Sequence, residues 1–280
     1  MSPGEADEPI LGVSVRSAIY EWLVEINTAE ELKAARLTPR TSALLSGPPG
    51  CGKTTLAHHL AARLGIPMVN VGSEMLYEAF LGASERNAAA LFNALATSED
   101  RCVVFLDEID AIGGKRQEDS GGGAQNGRNS MLTVLLRKIE TFNGILIAAT
   151  NRPESLDPAL WRRFGMQISV DLPDDDARFA ILKRYGMPYS FDEDLLSELS
   201  DLTEGAAPSL LRQLMESVKR QLVVGPRIRR ETRSAAEAFA LAISQNEPHP
   251  DYDKPVLWRN PQLVENLSQD QWPPKMETRA

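Results

Sequence analysis

Apolar and polar positions change period along this chain, and the changes mark its elements. Val15, Ile19, Trp22, Leu23, Ile26, Leu32, Ala35 and Leu37 recur at helical spacing, so residues 14–37 are expected to be helical. Ser42-Ala43-Leu44-Leu45-Ser46 is a short apolar run of strand length. After it, Leu56, Leu60 and Leu64 recur at i, i+4 and i+8 before Gly65 and Pro67, a helix with its stop signal. Residues 66–71, Cys102–Leu106, Ile145–Ala149 and 167–170 are further strand candidates, with helices expected over 84–97 and 129–140. The run Cys102-Val103-Val104-Phe105-Leu106 has no polar face, as in a strand covered on both sides. Strands alternating with helices predict a parallel α/β sheet sandwiched by helices.

Beyond Pro173 the pattern is helical only, over 174–185, 192–201, 208–223 and 230–244. The expected organisation is an N-terminal helix and linker (1–40), with residues 1–12 disordered. An α/β domain (41–173) and a small all-helical domain (174–245) follow. The last segment (246–280), rich in Pro and Trp and without periodicity, reads as an extended tail. Within the α/β domain, 113–128 is the most flexible internal stretch, centred on Gly121-Gly122-Gly123.

Composition narrows the class. The 280 residues are 42% hydrophobic and 25% charged, as in globular proteins, and no run is long and apolar enough for a membrane span. The net charge of −9 argues against a dedicated nucleic-acid binder. Two cysteines, Cys51 and Cys102, form no disulfide framework, and the acidic N-terminus is unlike a signal or transit peptide. Together these point to a cytoplasmic protein.

The candidate chemistry sits at strand ends. Gly47-Pro48-Pro49-Gly50-Cys51-Gly52-Lys53-Thr54, followed by Thr55, matches G-x-x-x-x-G-K-[ST] between a strand and a helix. Its glycines let backbone N–H groups turn inward around phosphate oxygens, with the helix dipole behind them. Lys53 is placed to reach the β- and γ-phosphates of ATP, and the Thr54 hydroxyl to ligate Mg²⁺. Asp107 and Glu108 end the strand at 103–106. Asp107 is the candidate Mg²⁺ holder through water, and Glu108 the group that polarises the attacking water. Cys51 stands at a helix start that can lower a thiol pKa, though a small inert residue is the simpler reading. His58-His59 does not form H-E-x-x-H, so no zinc protease is expected here. Arg227, Arg229, Arg230 and Arg233 form a basic cluster that reads as a solvated face before an anion site.

The octet, Phe-Leu-Asp-Glu-Ile-Asp (105–110), Ala-Ala-Thr-Asn-Arg-Pro (148–153) and Leu-Asp-Pro-Ala-Leu-Trp-Arg-Arg-Phe (156–164) stand in the order and spacing of a known family. Over about residues 40–220 the chain resembles AAA+ ATPases of the AAA subgroup, the group of FtsH-like proteases, katanin and spastin. The resemblance implies sensor 1 at Asn151, where an amide can contact the γ-phosphate and orient water. It implies arginine fingers at Arg162 and Arg163, acting on the ATP of a neighbouring subunit; Gly165 stands where an Asp often follows. It places a pore loop at Phe80-Leu81, with 113–128 (Lys115, Arg116, Arg128) as a second one. The helical domain becomes a lid, whose third helix opens near Gly205-Ala206-Ala207-Pro208. No arginine occupies sensor 2, and Arg212 reads as a surface residue.

The implied function is ATP hydrolysis in a homo-oligomeric ring, a hexamer by resemblance, coupled to remodelling or unfolding of a polypeptide. Two rivals are an ATP-dependent binding switch that recruits a partner and a DNA-associated loader. Trp258 and Trp272 leave two options open: docking a separate protease or adaptor, or packing on the chain's own surface.

Overall fold

The computed structural model describes residues 4, 6–72, 74–75, 90, 92–95, 102–114, 123–248, 253–268 and 271–277, with backbone alone for 123–131. It divides into two compact units. One comprises Met1–Pro9 and Val13–Asp171, the other Ile10–Gly12 and Leu172–Ala280.

The first unit is built on five parallel strands: β1 (Ser42–Ser46), β2 (Met68–Val71), β3 (Val103–Leu106), β4 (Ile145–Thr150) and β5 (Met166–Ser169). Their order is β2-β3-β4-β1-β5. All four residues of β3 are buried, as are Ala43–Ser46 and Leu146–Thr150, so the central strands carry continuous apolar runs rather than alternation. Helices α1 (Val13–Asn27), α2 (Ala29–Ala34), α3 (Lys53–Leu64), α4 (Asp110–Gly113), α5 (Gly123–Thr141) and α6 (Pro158–Trp161) belong to the same unit. Leu44, Val104, Leu106, Ile109, Leu132, Leu135, Leu160 and Phe164 form one buried cluster. Each such side chain contributes about 1.5–3 kcal/mol by leaving water.

The N-terminal helix is interrupted rather than continuous over 14–37. The Thr28 hydroxyl donates to the Val24 carbonyl at 2.8 Å, and a new short helix begins at Ala29. α1 is tied to the sheet unit through Trp22, which is fully buried and donates its indole N–H to the Arg40 carbonyl at 2.8 Å. Arg40 in turn is paired with Glu25, its Nε donating at 2.7 Å. Helix α5 starts at Gly123, six residues before its expected start at 129. The pore-loop pair Phe80-Leu81, most of the expected helix 84–97, and Lys115 and Arg116 lie outside the described residues. Only the backbone of Arg128 is described.

The second unit holds α7 (Asp175–Gly186), α8 (Glu193–Leu202), α9 (Pro208–Val224) and α10 (Ala235–Gln245). Asp174, Asp192 and Ser234 cap three of them, each accepting a backbone N–H of the first turn. The helix expected from 230 starts five residues later. Arg229 takes a left-handed φ of 57°, ending a short 3-10 turn, and Ser234 then starts α10. Ile10, within the segment expected to be disordered, packs on this unit's core.

The described residues of the tail are folded, which corrects the expectation of an extended segment there. A short helix α11 (Val256–Arg259) and a 3-10 segment (Pro261–Asn266) bury Leu257, Trp258, Val264 and Leu267 against α9 and α10 residues such as Leu214, Val218 and Phe239. Trp258 donates to the Asn246 carbonyl at 2.6 Å and Trp272 to the Thr232 carbonyl at 3.1 Å. The apolar side chains gain burial and each indole N–H keeps a partner. β7 (Lys275–Met276) then pairs antiparallel with β6 (Tyr189–Ser190), so the unit is not wholly helical.

Candidate functional site

In a parallel sheet every strand points the same way, so loops after the strands gather along one edge. Here β4 lies between β1 and β3. The sheet therefore places Asn151, after β4, between the glycine loop after β1 and the Asp107-Glu108 pair after β3.

The glycine loop has the backbone its sequence requires. Gly47, Gly50 and Gly52 have φ of 144°, 77° and 86°, conformations that L side chains rarely adopt. Gly47 also lies against β5: a Cβ there would collide with the Val170 carbonyl oxygen. The Val170 N–H donates to the Ser46 carbonyl at 2.7 Å, which fixes the loop's root. Gly52 precedes α3, whose first residue is Lys53, and Thr54 and Thr55 lie in its first turn.

Lys53 is buried, 7% exposed, and its ammonium donates to the Gly47 and Pro48 carbonyls, both at 2.8 Å. Burial pushes its pKa down, opposed by Cys51, Asp107 and Asp110 nearby. The cation is thus held over the loop by its own backbone. The Cys51 thiol is also buried, and desolvation pushes its pKa up to about 11 despite Lys53. That favours the inert reading of Cys51 over the reactive one.

The Thr54 hydroxyl donates to Asp107 Oδ2 at 3.1 Å, joining the loop after β1 to the end of β3. This pair tests whether the site suits Mg²⁺. Hydroxyl and carboxylate are hard oxygen donors, and Mg²⁺ commonly takes one or two protein oxygens alongside substrate phosphates and water. The donor set fits.

Asp107 Oδ1 accepts the Glu108 backbone N–H at 3.0 Å. Glu108 is exposed and takes a φ of 51°. A non-glycine residue in this region costs on the order of 1–3 kcal/mol, a cost found most often at functional turns. The next residue re-enters the sheet, Ile109 N–H donating to the Ala149 carbonyl at 3.0 Å. Asn151 is half-buried, one residue beyond Thr150. Thr150 is 1% exposed and donates to Asp110 Oδ1 at 2.7 Å, and its oxygen accepts the Arg152 N–H at 3.0 Å. The sequence motifs alone assign no role to Thr150 or Asp110. Only the adjacency of β3 and β4 reveals the pair.

Arg162 and Arg163 are exposed. α6 is capped by Asp157, whose Oδ1 accepts the Ala159 N–H at 2.8 Å, and Arg162 ends it. Leu160 and Phe164 on either side are buried, so the segment is anchored while both guanidinium groups face outward. Gln167 braces the turn, donating to the Trp161 and Phe164 carbonyls at 3.0 and 2.8 Å. Arg163 lies 3.7 Å from Glu140, an exposed pair of small energetic value. In the second unit, Gly205 has φ 83°, Ala206 is buried and Pro208 opens α9, while Arg212 pairs with Glu216 at 2.7 Å on the surface. Among the described residues no helix is long and apolar enough to cross a membrane.

Comparison with known proteins supports the same assignment. Residues 43–172 match the family described as ATPase family associated with various cellular activities (AAA). The chain is 39% identical over 216 residues to the chloroplastic ATP-dependent zinc metalloprotease FTSH 6 of Arabidopsis thaliana, a match covering 74% of this chain and 31% of that protein. It is 35% identical over 236 residues to the proteasome-activating nucleotidase of Thermococcus gammatolerans, covering 76% of this chain and 59% of the relative. A third similar protein is the ATP-dependent zinc metalloprotease FtsH 4 of Synechocystis sp., 38% identical over 180 residues, 61% of this chain and 28% of that one. The matches thus span less than two thirds of these relatives' own lengths. With the glycine loop, the acid pair and the five-stranded parallel sheet in the family's arrangement, this chain belongs to the AAA family of ATPases.

Proposed function

We propose that this chain hydrolyses ATP at the loop after β1 and couples turnover to unfolding or remodelling of a polypeptide. The observation that carries the reading is the 3.1 Å contact from the Thr54 hydroxyl to Asp107, with Asn151 directly after the strand between them. Gly47–Thr55 would cradle the phosphates, and Lys53 would exchange its carbonyl partners for phosphate oxygens. Thr54 directly, and Asp107 through water, would hold Mg²⁺, which when bound neutralises phosphate charge. Glu108 would take the proton of the attacking water, and Asn151 would orient that water against the γ-phosphate. The relatives' printed names join ATP or nucleotide to proteolysis, which supports a polypeptide as the worked substrate.

The exposed, anchored Arg162 and Arg163 support action in trans within a ring of copies, a hexamer by family resemblance. In that arrangement a guanidinium completes the neighbour's site and contributes about 10³–10⁵ in rate. Phe80 and Leu81 would grip the substrate in the pore. A separate protease or adaptor would dock elsewhere than on the indoles of Trp258 and Trp272, whose N–H groups are already bonded within the second unit.

The test is subunit mixing. Lys53→Ala and Arg162→Ala/Arg163→Ala proteins are each expected to be nearly inactive. Mixed rings should regain ATPase activity, because some junctions pair an intact site with an intact finger. No rescue in rings shown to be mixed contradicts action in trans.

A further inference from the structure

Two side chains outside the assigned site link its two acid- and amide-bearing turns. The Thr150 hydroxyl has one proton, and it goes to Asp110 Oδ1 at 2.7 Å. That fixes the hydroxyl's remaining lone pairs, one of which accepts the Arg152 N–H at 3.0 Å. This second bond is a side-chain-to-backbone turn of the i to i+2 kind, and the residue it encloses is Asn151. Asp110 lies two residues after Glu108 and opens α4. It therefore ends the tight stretch in which Glu108 holds its left-handed φ of 51°. Between them runs the backbone bond from Ile109 N–H to the Ala149 carbonyl at 3.0 Å. At 1% exposure, water cannot replace either Thr150 bond without opening the strand end.

We propose that Thr150 and Asp110 are positioning residues that hold the Asn151 turn and the Glu108 turn in register for hydrolysis. This rests on the roles given above to Asn151 and Glu108. Neither Thr150 nor Asp110 is required to touch nucleotide. Loss of the pair should lower kcat while leaving nucleotide affinity nearly intact, because the glycine loop and Lys53 are anchored separately through Ser46 and Val170.

The experiment measures single-turnover ATP hydrolysis and nucleotide Kd on the full chain assembled with ATP. The variants are Thr150→Val, Thr150→Ser, Asn151→Ala, the double Thr150→Val/Asn151→Ala, and Glu108→Gln. Thr150→Val keeps the shape and removes the hydroxyl. It is expected to lower kcat at least about 10-fold, since small misplacements at a reacting centre are costly. Its Kd should stay within about threefold, and Thr150→Ser should restore most of the rate. In the Asn151→Ala background, Thr150→Val should add little further loss, as expected for a residue acting through Asn151.

The proposal is overturned if Thr150→Val turns over like wild type. It is equally overturned if kcat and Kd worsen together, if Thr150→Ser is as impaired, or if the two losses multiply. If Asn151→Ala and Glu108→Gln both hydrolyse ATP normally, the site reading itself fails. If both are impaired and Thr150→Val is not, only the positioning pair fails. Should Thr150→Val not fold, Asp110→Ala is measured by the same criteria, with Asp110→Asn, which keeps an acceptor oxygen, as its rescue.

Discussion

Replacing Gly47 by alanine separates backbone strain from steric collision, because Gly65 offers a matched control beyond the other end of α3. Both glycines have positive φ, 144° and 70°. At Gly65 an added Cβ meets nothing within 4 Å, so Gly65→Ala carries only the left-handed penalty of about 1–2 kcal/mol. At Gly47 the added Cβ collides with the Val170 carbonyl oxygen, a backbone atom that cannot rotate aside. Its φ also lies in a region that is essentially glycine-only, costing about 1–3 kcal/mol. Overpacking adds about 1–3 kcal/mol, since the Val170 to Ser46 bond must give. The sum of about 2–6 kcal/mol is a large share of a typical domain's stability. Urea unfolding followed by circular dichroism should show a clearly larger fall in midpoint for Gly47→Ala than for Gly65→Ala. A fluorescent ATP analogue should bind Gly47→Ala at least about 10-fold more weakly and Gly65→Ala as wild type. Equal midpoints, or full affinity in Gly47→Ala, would refute the claim that the loop's approach to β5 demands glycine.

Two further predictions concern titrating groups. With the Cys51 thiol pushed up to about 11, its thiolate at pH 8 is about one part in a thousand, so native alkylation should be about 100-fold slower than in the unfolded chain. Peptide mass spectrometry separates it from Cys102, and equal native and unfolded rates would contradict the burial argument. For Glu25, the hydrogen bond from Arg40 is the largest effect and holds the carboxyl below its usual 4.5. Because the folded value is depressed, the stabilisation is present above that pH and fades as pH falls through the folded value. Glu25→Gln should therefore cost about 0.5–1 kcal/mol at pH 7 and progressively less as the pH falls below 4.5, read from melting curves. A deficit that persists in acid would contradict it.

The sheet was legible because its buried strands are unbroken apolar runs, and the glycine loop because Gly47–Thr54 needs only local geometry. Helix ends were less so. The break at Thr28 depends on one hydroxyl turning back to Val24, and the late start of α10 on Arg229 adopting a left-handed φ. The tail misled because Leu257, Trp258, Val264 and Leu267 are buried through short turns of no fixed period, which composition reads as extended chain. At the site, the identities of Lys53, Thr54, Asp107 and Glu108 could be read from spacing. The strained backbone of Glu108 and the bond between Thr150 and Asp110 could not, since both depend on β3 lying beside β4.

The central claim is that this site hydrolyses ATP through Glu108. Its most direct test is phosphate release by wild type and Glu108→Gln, measured beside nucleotide binding over a range of protein concentrations. The account predicts wild-type turnover that rises with assembly, and a Glu108→Gln protein that binds ATP with unchanged affinity but turns over at least about 100-fold more slowly. Phosphate release by Glu108→Gln at the wild-type rate would contradict it.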